Sequence, residues 1–267
     1  MVASVPDHVL ATVVDDLAGP STVAIILGGS YVRGDATPFS DVDIAHVVTD
    51  ASLPPERDYR YYGDLFICIV TRSLAWYRTA ITQPERALFV VPSLREARVL
   101  FDTNYTFRTL QRELEAFSWK PLQAAADHYA SRAVFIASEA VHKLLSAHAR
   151  NDTETILTEA IMLHLGLMLA VAVHYGRLID GTMSYPEHVQ QAAGIDSAWA
   201  NAHRAFIEVG AWTYTSPLAH LRGAAALRLY RETVLLLSPI LHPDHLRVIE
   251  QTMRLVSATL DRKLPNR

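Results

Sequence analysis

Residues 27–44 read LGGSYVRGDATPFSDVDI. The β-branched run just before them, STVAIIL, is continuous in the way a buried strand is. That strand enters Gly28, Gly29 and Ser30, and eleven residues after the serine Asp41 opens a second apolar run, DVDIAHVV. Asp41 and Asp43 stand two apart, so on a strand both side chains leave the same face. A flexible turn beside paired negative charges suggests an anion and a cation bound together.

Two familiar phosphate loops fail here. Gly29 and Gly34 have P-loop spacing, but Asp35 and Ala36 follow where lysine and a hydroxyl residue are required, and a carboxylate there would repel phosphate. The dinucleotide glycine pattern fails because Ser30 and Arg33 occupy its second and third glycine positions. A third arrangement fits. Gly28 and Gly29 let the backbone approach a phosphate without an obstructing Cβ, Ser30 adds a hydroxyl donor, and a short helix from SYVRG would turn its amides toward the anion. Asp41 and Asp43 would hold a hard divalent ion such as Mg²⁺, which takes carboxylate and phosphate oxygens.

Gly29-Ser30 followed by Asp41-Val42-Asp43-Ile44 resembles the signature of the nucleotidyltransferase superfamily, the fold of polymerase beta and of the kanamycin, streptomycin and minimal nucleotidyltransferases. The resemblance covers about residues 5–105. It implies a Mg²⁺-dependent transfer of a nucleotide, AMP in the first instance, from an NTP to a hydroxyl of a small-molecule acceptor such as an antibiotic, with one or two Mg²⁺ on Asp41 and Asp43. It also implies a third carboxylate on the next strand, serving as metal ligand or base. Asp64, at the start of YYGDLFICIV, is that candidate, although its place after Gly63 is equally that of a turn residue. Its rival is Glu139, because some antibiotic-modifying members place their base on a helix of a second domain. Glu139 and Lys143 also have the spacing of a helical ion pair. Lys143 reaching the triphosphate and Arg33 meeting a phosphate, where a solvated arginine is the equal reading, complete the expected site; Tyr59, Tyr61 and Tyr62 could stack on a ring but read first as core or edge packing. Transfer to tRNA or protein, a glycosyltransferase using Asp-x-Asp, and a non-catalytic nucleotide-binding module are the competing functions.

The rest of the chain bounds these readings. It has 267 residues and a net charge of −4. Without a basic excess, binding of nucleic acid as the main activity is disfavoured. Residues 1–105 carry 13 acids and 8 arginines, whereas residues 106–267 carry 15 acids and 16 bases. One cysteine, Cys68, forms no disulfide within the chain and reads as a buried thiol. The N-terminus has no signal-peptide pattern, and the apolar stretch Ile161–Val173 is shorter than the ~18 residues that argue for a membrane span. A reduced, soluble, cytoplasmic protein is expected.

The fold class expected is α+β: a mixed sheet with flanking helices over residues 1–105, then an all-α accessory or substrate domain over residues 106–267. Ser73, Asp102 and Asp152 are expected to cap helices. Leu122, Ala125, Tyr129, Ala133, Ile136, Ala140 and Leu144 form the expected buried stripe of one long helix. The twelve histidines, His142 and His148 and the pair His242 and His245 among them, lack zinc-ligand spacing and read as surface or internally satisfied groups.

Overall fold

The computed structural model describes residues 4–49, 56–181, 183–208 and 216–261. It divides into a sheet unit, Met1–Lys120 with Leu178–Ser184, and a helical unit, Pro121–Arg177 with Tyr185–Arg267. The boundary falls at Lys120 rather than after residue 105, because the helix that follows the sheet packs back onto it.

The sheet unit runs α1 (Asp7–Leu17), β1 (Thr22–Gly28), α2 (Ser30–Arg33), β2 (Val42–Val48), β3 (Glu56–Tyr62), β4 (Leu65–Ser73), α3 (Leu74–Ala80), α4 (Pro84–Glu96), β5 (Arg98–Asp102) and α5 (Thr106–Glu115). The strands form one mixed sheet in the order β3-β4-β2-β1-β5. Among the described residues only the β2–β4 pair is parallel. Alternation assigns the two faces. Val42, Ile44, Ile67 and Ile69 enter the core with Ile25, Leu27 and the α1 residues Val9, Leu10 and Val13. Asp43 and Cys68 leave by the other face. Ser73 caps α3 by accepting from the Trp76 amide at 3.1 Å. Asp102 accepts from the amides of Phe107 and Arg108, both at 3.0 Å, and so holds the start of α5.

Two elements were absent from the sequence reading. β3, ERDYRYY, is a charged edge strand, which is how sheets protect an open edge. α4 carries Pro92 inside it, a residue that ordinarily argues against a helix interior.

The helical unit contains α6 (Gln123–Arg150), α7 (Thr153–Tyr175), α8 (Tyr185–Ala193), α9 (Ala198–Glu208), α10 (Ser216–Leu237) and α11 (Pro243–Asp261). Asn151 ends α6 in the left-handed conformation, and Asp152 caps α7 by accepting from the Thr155 amide at 3.1 Å. α7 is long and apolar enough to cross a membrane, and half of its most apolar window is buried inside the protein. The buried face of α6 is not the expected stripe. Ala126, Ala130, Val134, Ser138, Val141 and Leu144 face inward, while Ile136 is 55% exposed. Small residues let α6 approach its neighbours closely, and buried Ser138 is satisfied by Tyr230 Oη at 3.1 Å.

Histidine pairs tie the helices together. His148 Nδ1 lies 2.6 Å from His220 Nδ1, and His164 Nε2 lies 3.0 Å from His203 Nε2. Gln190 Nε2 meets His203 Nδ1 at 2.8 Å and can only donate, so His203 carries its proton on Nε2 and donates to His164. His148 Nε2 is buried without a hydrogen-bond partner among the described residues and fills the space over Gly223, where a Cβ would collide with it. Burial first, then neighbouring histidine or arginine charge, pushes His148, His164 and His203 down to about 4. A base whose proton affinity falls on folding binds fewer protons in the native than in the unfolded state. The stability it supports is therefore complete above about pH 6.5 and lost as pH falls toward 4. With solvent screening allowed for, each histidine contributes roughly 1–2 kcal/mol. Thermal melts from pH 7.5 to pH 4.5 are expected to show a falling melting temperature, and His148→Gln to flatten the slope. A flat wild-type profile would reject this account.

Candidate active site

Gly28 ends β1 and pairs with Asp43 of β2. Gly29 turns the chain at φ 67° and ψ −156°, and α2 begins at Ser30. That backbone region is essentially reserved for glycine. A Cβ on Gly29 would collide with Asp43 Oδ2 and stand 2.9 Å from its Cγ, whereas nothing lies within 4 Å of a Cβ on Gly28. The two glycines therefore do different work: Gly29 makes room for the Asp43 carboxylate, and Gly28 leaves the turn open. Val32 and Arg33 amides close the short helix on Gly29 O at 3.1 and 3.2 Å.

The register places a row across the sheet. Gly28 pairs with Asp43, Asp43 with Cys68 on β4, and Cys68 with Tyr59 on β3. One ligand atom each from Asp41, Asp43 and Cys68 lies within 4.8 Å of the others. Asp41 is exposed, Asp43 half-buried and Cys68 only 6% exposed. Burial and then the Asp41 charge raise the proton affinity of Asp43, and these outweigh the opposing pull of Arg33 and Arg57. Burial also pushes the Cys68 thiol up. A bound cation would reverse both effects. Two carboxylates and a thiol converging at this spacing, with a neighbouring backbone stripped of its Cβ, fit a divalent ion.

The Gly28 and Asp43 end of the row opens into a cleft of about 610 Å³, within the range of small-molecule sites. Gly28, Gly29, Ser30, Arg33, Asp41 and Asp43 all line it. Arg33 is held there by donating from Nη1 to Asp180 O at 2.8 Å, with Asp35 Oδ2 3.5 Å from its Nε. Residues 178–181 belong to this wall, since the Ile179 amide donates to Leu88 O at 2.9 Å. The cleft also has members that sequence reasoning missed: Arg72, Trp76, Glu96 and Asp180. Arg72 and Arg86 sit 5.0 and 5.7 Å from the Trp76 ring centroid. Burial, followed by the Asp180 charge, raises the Glu96 carboxyl. No local motif marks these residues, because β4, α3, α4 and residues 178–181 meet only in the fold.

Several expected residues lie elsewhere. Asp64 is not beside the aspartate pair. It is exposed in the two-residue turn that joins β3 to β4, where Gly63 supplies the positive φ and Tyr62 pairs with Leu65. Cys68 lies four residue steps further along the chain, about 13 Å at the usual rise. The neighbouring-strand position next to Asp43 is occupied by a thiol. Glu139 and Lys143 both lie on α6 of the helical unit, exposed and paired at 2.8 Å, as their spacing in a helix dictates. Tyr59 stacks on Phe66 at 5.6 Å and Tyr61 tilts against the same ring, while Tyr62 donates to Asp16 on the other face.

Residues 10–68 match the model of the nucleotidyltransferase domain, a match that ends on Cys68. The chain is 33% identical over 135 residues, 46% of its length, to a bifunctional uridylyltransferase/uridylyl-removing enzyme of Burkholderia vietnamiensis. It is 34% identical over 106 residues, 38% of its length, to the enzyme of the same description from Burkholderia lata. It spans only 16% and 12% of the lengths of these curated relatives. Among solved structures, a nucleotidyltransferase-like protein from Exiguobacterium sibiricum 255-15 shares the fold with a TM-score of 0.50 at 14% identity, over 96% of this chain and 91% of that one. With the Gly-Ser turn and the Asp-x-Asp pair facing one cleft, residues 10–68 form a nucleotidyltransferase domain.

Proposed function

We propose that the protein transfers a nucleoside monophosphate, AMP in the first instance, from an NTP to a hydroxyl of a small-molecule acceptor. The observation that carries the reading is the juxtaposition, in one cleft, of the Gly28–Ser30 turn with the Asp41 and Asp43 carboxylates. In this reading the turn and Arg33 receive the β- and γ-phosphates, and Asp41 and Asp43 hold one or two divalent ions, Mg²⁺ being the ion that accompanies the nucleotide. When bound, that ion neutralises charge on the phosphates. The acceptor oxygen forms a bond to the α-phosphorus as the bond from that phosphorus to the bridging oxygen breaks, and pyrophosphate leaves. The acceptor proton passes to a cleft carboxylate. Glu96, whose proton affinity burial and Asp180 raise, is suited to take it. Catalysis of this kind rests on positioning and charge neutralisation.

A second donor, UTP, is favoured by one observation: both curated relatives are uridylyltransferases by description. The test is incubation of the protein with Mg²⁺ and each labelled NTP in turn, with and without hydroxylated acceptors such as aminoglycosides, measuring pyrophosphate and labelled product. Acceptor-dependent pyrophosphate from ATP is the expected outcome. Release from UTP alone would replace the base assignment, and neither release nor nucleotide binding with any NTP would overturn the proposal.

A further inference from the structure

The resemblance leads one to expect a carboxylate beside Asp43 on the neighbouring strand, and the fold puts Cys68 there. Its neighbours Ile67 and Ile69 point into the apolar core, but Cys68 points to the opposite face, toward the aspartates. It is buried on the sheet face that carries the aspartates, apart from the cluster that holds Ile67 and Ile69. Its Sγ makes no hydrogen bond among the described residues, and at 6% exposure it is shielded from bulk water. What this position supplies is a donor atom aimed at the place where Asp41 and Asp43 converge.

We propose, resting on the nucleotide-transfer reading above, that Cys68 is the third protein ligand of the divalent ion at Asp41 and Asp43. In the nucleotide-free protein this mixed oxygen and sulfur set selects thiophilic divalent ions of the zinc, cobalt and cadmium kind over Mg²⁺. The chemistry follows from ligand softness. Mg²⁺ is bound through oxygen and keeps several of its waters, whereas thiolate donors favour softer ions. Mg²⁺ then enters with the triphosphate, which brings the oxygens it prefers. Coordination by the sulfur releases the thiol proton to solvent.

Cys68 is the chain's only cysteine, so any sulfur-to-metal charge-transfer band reports this residue alone. Titration of the nucleotide-free protein with Cd²⁺ or Co²⁺, followed by absorbance and in parallel by calorimetry, is expected to raise such a band that saturates at one ion per chain. The band is expected to disappear in Cys68→Ser and Cys68→Ala, with Cd²⁺ affinity falling about tenfold or more. Because the band is read in the unaltered protein, the test does not depend on either variant folding. Calorimetric binding of Cd²⁺ without a band would overturn the role of Cys68 and leave the aspartate site standing. A band that persists in the Asp41→Asn, Asp43→Asn double variant would also overturn it, because the ion would then be held by the thiol apart from the pair. Binding of no divalent ion, with or without NTP, would instead remove the nucleotide-transfer reading on which the proposal rests.

Discussion

Asp43→Asn is expected to abolish transfer, by on the order of 10³-fold in turnover as for other losses of charge stabilisation, and at the same time to raise the melting temperature of the metal-free protein. The two effects have one cause. Burial and Asp41 together raise the proton affinity of Asp43 above its unfolded value, despite Arg33 and Arg57. An acid shifted in that direction costs stability as pH rises through its folded value, and the cost is complete at neutral pH. Asparagine keeps the shape that packs against Gly29 and removes the charge. Site residues often sacrifice stability for function in this way. Divalent ion should stabilise the wild type by mass action and leave the variant unmoved. Differential scanning fluorimetry with and without metal, beside a pyrophosphate assay, reads all three quantities. A variant that is less stable without metal and still active would show that Asp43 serves the fold and not a cation.

Much of this site was legible because its parts are local. The β-branched run, the Gly-Gly-Ser turn and the spacing of Asp41 and Asp43 each depend on a few consecutive residues, and so do the caps at Ser73, Asp102 and Asp152. What was not legible depends on partners distant in sequence. Which residue of β4 stands beside Asp43 is set by register, and that register involves a turn of Gly63 and Asp64 together with the parallel pairing of β2 and β4. A strand slipped by two residues would put Phe66 or Val70 there and change the chemistry without altering the pattern of apolar residues. The stripe of α6 failed for a related reason. Its inward face is built of alanine and serine, which carry little hydrophobic signal, while Ile136 is left on the outside. β3 and α4 were hidden by their own devices, charge on an open edge and a proline within a helix.

Gly29→Ala and Gly28→Ala, adjacent and chemically identical changes, are expected to diverge sharply. At Gly28 a methyl group meets nothing within 4 Å and the backbone has no positive φ, so stability should move by less than about 0.5 kcal/mol. Its effect should be confined to a higher KM for the NTP, whose phosphates would meet the new methyl. At Gly29 two costs combine. Holding alanine at φ 67° and ψ −156° costs about 1–3 kcal/mol by itself, and its Cβ would collide with the Asp43 carboxylate. The chain can relieve the collision only by moving the turn or by swinging the carboxylate away from Asp41 and Cys68, and either movement takes apart the proposed ion site. Loss of turnover comparable to that of Asp43→Asn is therefore expected. A double-mutant cycle separates the two costs. In an Asp43→Ala background the carboxylate is gone, and the penalty of Gly29→Ala should fall toward its backbone part alone, leaving a coupling energy between the positions. Additive penalties in chemical denaturation would mean that Gly29 and Asp43 do not touch, and the packing of carboxylate against turn would have to be given up.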